Sequence, residues 1–216
     1  ARAIDVAFPF GHGLGYTTFS YGDVSAEVRG SGAEVEVDVR VTVTNTGSRA
    51  GSEVVQVYVA DPVASLQRPE RELRAFAKVH LEPGASHEVS FTLSGRDLAF
   101  WHPILHRWVV EGGVFEILVG ASSRDLRTSA VVEVEGEEIV LPLSPESSLG
   151  EFLNHPVAGP LVEPFLEHSP VPLDDPQLSF FILESQAQTL ATFGIPGFDR
   201  QTLADLLAEV ERRSAG

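Results

Sequence analysis

Every odd position from Val35 to Val43 is valine, and between them stand Glu36, Asp38, Arg40 and Thr42. An apolar residue at every second place buries one face of an extended chain and wets the other, which is the period of a strand. Valine and threonine also suit a half-buried pleated surface. The run stops at Asn45-Thr46-Gly47, where Asn and Gly tolerate the positive φ of a reversal. A second strand, Val54 to Val59, ends at Asp61-Pro62. The two read as a long hairpin-like pair, and their valine face needs a second apolar layer to cover it.

The neighbouring stretches supply that layer. Thr17 to Val28 reads as an irregular edge strand broken at Gly22, and Gly30-Ser31-Gly32 turns the chain into the central pair. Leu73 to Leu81 places Leu73, Ala75, Ala77, Val79 and Leu81 on one face. Glu82-Pro83-Gly84-Ala85 has Pro and Gly at the centre of a type II turn. In His87 to Leu93, Val89, Phe91 and Leu93 alternate with Glu88, Ser90 and Thr92. Arg96 to Leu98 reads as one helical turn, followed by short strands at Leu98–Trp101 and Arg107–Val110 around a proline loop. Val114 to Val119 and Ala130 to Val134 close the set. Short strands at near-regular spacing with turns between them indicate an all-β sandwich. Cysteine is absent, so Trp101, Trp108, Phe91, Phe115 and the valines are expected to fill the core. No internal repeat is visible.

After about Glu138 proline becomes frequent and helix signals begin. Ser148-Leu149-Gly150-Glu151 is a capping box, with Pro156 ending the helix it starts. Pro160 is placed to begin another. Asp175-Pro176 supplies an N-cap and an N1 proline ahead of Leu178, Phe181 and Ile182. Asp199 caps a last helix whose Leu203, Leu206, Leu207 and Val210 share one face. These stripes need a surface, either the sandwich or another subunit, the second making a homo-oligomer. The expected fold class is therefore mainly β: an immunoglobulin or fibronectin type III-like sandwich at 17–136, preceded by a linker at 1–16 and followed by a small helical extension at 137–216.

The 216 residues carry a formal net charge of −16, which argues against nucleic acid and anionic membrane surfaces as partners. No apolar run approaches membrane-spanning length. The absence of cysteine excludes thiol chemistry and leaves the compartment, cytoplasmic or secreted, undecided. The chain opens on Ala1 and contains no methionine, so it is expected to be the C-terminal part of a longer polypeptide.

Each motif that could carry chemistry also has a plainer use. Gly11-His12-Gly13-Leu14-Gly15 has Tyr16 where a dinucleotide fingerprint wants glycine, and lacks the strand and helix around it. His102 and His106 stand four apart, but Pro103 between them removes the helix that would align them on a metal; exposed loop histidines are expected, with no metal and no cofactor. Ser122-Ser123 lacks the context of a nucleophile elbow, and Asp125 and Arg127 read as a solvated face. Glycoside hydrolysis needs two facing carboxyls, and Glu70, Glu72, Asp174 and Asp175 read as loop charges or caps. Trp101, Trp108 and Tyr58 could stack on a sugar ring, but Trp108 and Tyr58 are expected in the core.

Four segments together carry a family resemblance: FPFGHGLGYTTF, VTVTNTGSRAGSEVVQVYVADP, RPERELRAFAKVHLEPG and RWVVEGGVFEILVGASSRDLR. From about Ala7 to about Val134 the chain resembles the fibronectin type III-like domain that ends many family 3 glycoside hydrolases of the β-glucosidase type. The resemblance implies an accessory sandwich that braces upstream catalytic domains of the same enzyme, whose substrate is a terminal β-linked sugar hydrolysed with retention. In that family the nucleophile lies on an N-terminal barrel, so no catalytic residue carries over and the chain alone is expected to be inactive. Phe8 to Tyr16 resembles the segment joining the sandwich to the preceding domain. Phe10, His12 and Tyr16 are its expected docking or substrate-rim contacts, and Gly15 stands where the usual pattern has Ser. The alternatives are a stand-alone carbohydrate-binding sandwich and a structural domain that mediates association.

Overall fold

In this computed structural model, residues 6–166, 176–193 and 197–214 are described. The chain forms two compact units, one reaching Ile139 and one beginning at Val140.

The first unit is a two-sheet sandwich. One sheet centres on β3 (Glu36–Asn45), which pairs along one edge with β1 (Phe19–Tyr21) and β2 (Ser25–Arg29). Its other edge pairs with β6 (Ser86–Ser94). The second sheet runs in the order β10 (Asp125–Val134), β9 (Gly113–Ser122), β4 (Gly51–Ala60), β5 (Glu72–Leu81), all antiparallel. The hairpin expected of the two valine strands is not formed. β3 and β4 lie in opposite sheets, and the turn between them is an arch. The physical reason is burial: Val37, Val39, Val41 and Val43 on β3 and Val55, Val57 and Val59 on β4 share one core, so each strand supplies the other's missing layer. Phe115 is buried there and Phe91 packs against it.

Gly84 at φ +77° provides the positive dihedral of the type II turn between β5 and β6. A single helical turn, α1 (Gly95–Leu98), follows β6, with Asp97 accepting from the Ser94 backbone and hydroxyl. Next comes a small hairpin of β7 (Phe100–His102) and β8 (Arg107–Val109), which pairs with neither main sheet. The hairpin overturns two expectations. Phe100, His102 and Val109 point inward, so Trp101 and Trp108, which alternate with them along the strands and pair with each other, face outward. Trp108 is 43% exposed and Trp101 48%. His102, expected in an exposed loop, is buried, and its Nδ1 accepts the Leu105 N–H at 3.3 Å. His106 is exposed, at φ +48°.

The second unit is helical: α2 (Leu149–Asn154), α3 (Gly159–Leu166), α4 (Pro176–Leu183), α5 (Ala187–Phe193) and α6 (Arg200–Ser214). The Ser148–Glu151 capping box is formed in both directions. Asp199 accepts the Thr202 N–H at 2.8 Å as the cap of α6. The proposed cap at Asp175 lies outside the described residues. The stripes of these helices find their surface in one another: Phe152, Val162, Ala187, Phe198, Leu203, Leu206 and Val210 form a separate core. The unit also has an internal doubling that its sequence does not display. Leu149 N–H donates to Ser185 O at 3.0 Å, Ala187 N–H donates to Ser147 O at 2.9 Å, and a helix pair follows each crossing point.

Candidate functional site

The expected docking segment, Phe8 to Tyr16, is held by its backbone alone. The Phe10 carbonyl accepts the Ser123 N–H at 2.9 Å, and the Pro9 carbonyl accepts the His12 N–H at 3.0 Å. Beneath it lies Gln56, on the outer face of β4 between the core residues Val55 and Val57. Its Nε2 donates to Ala121 O at 2.6 Å and to Gly11 O at 3.4 Å, and its Oε1 accepts the Tyr58 hydroxyl at 2.6 Å. Tyr58 is buried as expected, and burial raises its pKa. Gly11 is required here on two counts. It sits at φ +80°, and a Cβ would stand 2.2 Å from Gln56 Oε1.

The side chains of the same segment turn away from the sandwich. Tyr16 is 92% exposed and Phe10 68%, and Phe8 and Leu14 are exposed as well. His12 is exposed, with its ring 5.4 Å from the Phe8 ring. The result is an apolar ridge pinned to the outer face of β4 and β9 by hydrogen bonds that involve none of its side chains. Apolar residues this exposed in a fixed segment mark a contact surface more often than a free one.

The other candidates are accounted for structurally. The buried Ser122 Oγ accepts the Asp125 N–H at 3.0 Å and closes the β9–β10 turn. Asp125 and Arg127 form an ion pair, and Arg127 reaches Phe19 O at 3.2 Å and lies over the Tyr21 ring. Both side chains stay largely in solvent, as expected of a solvated face, at 38% and 46% exposed, while Tyr21 and Glu53 beside them are half-buried. Hydrogen bonding to Arg127 lowers the Asp125 pKa, while burial raises those of Tyr21 and Glu53. Glu70 pairs with Arg71; Glu72 is shared by Arg68 and Arg74. Asp174 and Asp175 lie outside the described residues. Among the described residues no group of three His, Asp or Glu side chains is placed to hold a metal ion.

A two-sheet antiparallel sandwich with these crossings defines a class, and the comparisons agree: residues 53–123 match the fibronectin type III-like domain family. The proteins this chain is similar to include family 3 β-glucosidases, and it matches only part of each. It is 42% identical over 133 residues to thermostable β-glucosidase B of Acetivibrio thermocellus, covering 62% of this chain and 18% of that protein. It is 38% identical over 161 residues to an exo-α-(1→6)-L-arabinopyranosidase of Bifidobacterium breve, covering 74% of this chain and 21% of that protein. In structure it is similar to the family 3 β-glucosidase of Bifidobacterium adolescentis, with a TM-score of 0.63 at 41% identity. That match covers 73% of this chain and 23% of the other. The chain thus spans about a fifth of the length of the curated relatives it matches.

Proposed function

We propose that this chain is the accessory C-terminal region of a family 3 glycoside hydrolase, acting on terminal β-linked glucose or a related sugar. Its task is to brace the catalytic domains; the nucleophile and the acid/base that retaining hydrolysis requires come from those domains. The observation that carries this reading is the ridge of Phe8, Phe10, Leu14 and Tyr16, fixed through its backbone and exposed through its side chains. A self-contained sandwich gains nothing from such a ridge, whereas a domain docked on another buries it, at roughly 25 cal/mol per Å² of apolar surface.

The test compares two contexts. In an enzyme joining this region to its catalytic domains, Phe10→Ala and Tyr16→Ala should lower kcat/KM and loosen the domain interface. In the 216-residue chain the same changes should leave the unfolding midpoint of the sandwich nearly unchanged. A large loss of stability there would place both residues in the sandwich core and sink the docking role. The chain alone should not turn over aryl β-glucosides above a buffer blank.

A further inference from the structure

A second surface of the sandwich has the composition of a ligand site. A groove of about 450 Å³ runs between the β7–β8 hairpin, the start of β5 and the loop before it, within the size range of small-molecule pockets. Three guanidiniums, Arg68, Arg74 and Arg96, line it against one carboxylate, Glu72. On a chain of net charge −16 this is a local reversal of sign. The arginines are unequally committed. Arg68 is nearly buried and bound to Asp61 and Glu72, both at 3.1 Å. Arg74 reaches the same Glu72 at 2.9 Å, but its Nε is buried with no acceptor. Arg96 is exposed and makes no ion pair among the described residues; its guanidinium lies 3.2 Å from the centroid of the Trp108 ring.

Trp101 and Trp108 meet at 71° with centroids 5.7 Å apart. An edge-to-face contact covers at most one face of either ring, and Trp101, which lines the groove together with the arginines, is 48% exposed. That combination suits a ligand with an apolar ring face and an anionic group. Indole stacks on the C–H face of a pyranose, and guanidinium grips a carboxylate with two parallel hydrogen bonds. Turning toward such a carboxylate would also give the Arg74 Nε–H the acceptor it lacks, and an unmet buried donor is costly.

We propose that this groove binds an acidic saccharide, a uronate residue stacked on Trp101 with its carboxylate held by Arg96 and Arg74. The choice of a sugar over another ring-bearing anion rests on the proposed glycosidase membership; the anionic site itself does not.

The experiment is calorimetric titration of the 216-residue chain with trigalacturonate, with neutral cellotriose, and with inorganic sulfate as competitor. Trigalacturonate should bind at least about tenfold more tightly than cellotriose, a gap of about 1.4 kcal/mol, and should weaken as salt is raised. Trp101→Ala and Arg96→Gln should each cost about tenfold in affinity, with both variants still folded at the assay temperature because Arg96 is exposed and Trp101 is 48% exposed. Equal affinity for the acidic and neutral sugars, sulfate competing on a par with the trisaccharide, or full binding by both variants would each overturn the proposal. The readout involves neither hydrolysis nor domain docking, so it stands or falls apart from the bracing role.

Discussion

Asn45 on β3 and Leu81 on β5 belong to opposite sheets, and the Asn45 Nδ2–H donates to the Leu81 carbonyl at 2.9 Å. The second Nδ2–H goes to Arg49 O at 2.8 Å. Oδ1 accepts the Gly47 N–H at 3.1 Å and the Thr17 hydroxyl at 2.6 Å. Both donors and both acceptor positions of the amide are used, on a residue with no exposed surface. The side chain therefore ties the arch, the first segment and both sheets together. Asn45→Ala should destabilise the sandwich by about 3 kcal/mol, because it leaves buried carbonyls without donors. Urea unfolding followed by tryptophan fluorescence reads this directly, since Trp101 and Trp108 are both in the sandwich.

The alternation along β3 gives a paired prediction. Val41 is buried and Thr42 is exposed. Val41→Asp places an unpaired charge in the core, at a cost of several kcal/mol, comparable to the whole margin of a small domain. Thr42→Asp faces Glu88 across the strand pair and should cost only about 0.5 kcal/mol through like-charge repulsion. Similar melting temperatures for the two variants would mean that the buried face is wrong.

Gly11→Ala should detach the docking ridge from its seat, because both the positive φ and the Gln56 contact oppose a methyl group. The expected result is faster proteolysis between Phe8 and Tyr16, with the stability of the sandwich lowered by no more than about 1 kcal/mol. Unchanged cleavage would show that the ridge does not depend on this contact.

A pH effect is expected in the helical unit. His155 is buried; burial lowers its pKa, and its Nδ1 accepts N–H groups from Val157 and Ala158, both at 3.2 Å. A lowered folded pKa means that the unfolded chain binds the proton more readily. The contribution is therefore complete above the ordinary histidine value of about 6.5 and is lost as pH falls below it. Helix melting by circular dichroism should move down between neutral and mildly acidic pH, and His155→Gln should remove that dependence. A wild-type midpoint flat across this range would refute the assignment.

How much of this was legible in the residues varies by element. The period-two strand β3 is, because Val37 to Val43 bury alternate side chains wherever their partners lie; on β4 the intervening Gln56 and Tyr58 are buried too. The pairing of those strands is not, since periodicity reports which face is buried and says nothing of which strand lies alongside; hence the arch read as a hairpin. Trp108 misled for a related reason. In a two-stranded hairpin that stands off both sheets, half the side chains face out whatever their size. Helix α5 carries neither a proline nor an acidic cap at its start, and its Ala187 and Ala191 bury little surface each, so no stripe stands out. That Phe8 to Tyr16 is a shaped, non-periodic segment was legible from its aromatic, glycine-rich composition; its seat on Gln56 was not, because the segment is held there through its backbone atoms. The groove beside Trp101 joins residues from Leu66 to Trp108 and exists only in the folded chain.

The arch between β3 and β4 also sets the order in which this molecule can be made. Thr44 meets Ser86 on β6, and Gln56 meets Gly120 on β9, so each sheet needs a pairing between strands far apart in the chain. Pairings between distant segments carry the loop-closure entropy before any reward, and β-rich domains of this kind fold in roughly milliseconds to seconds. During synthesis the valine rows of β3 and β4 emerge well before β9 can complete the second sheet. Until then the β9 edge of β4 is open and the valine rows are only partly covered, and Glu36, Asp38 and Arg40, alternating with the valines of β3, are the kind of charge that keeps nascent chains apart.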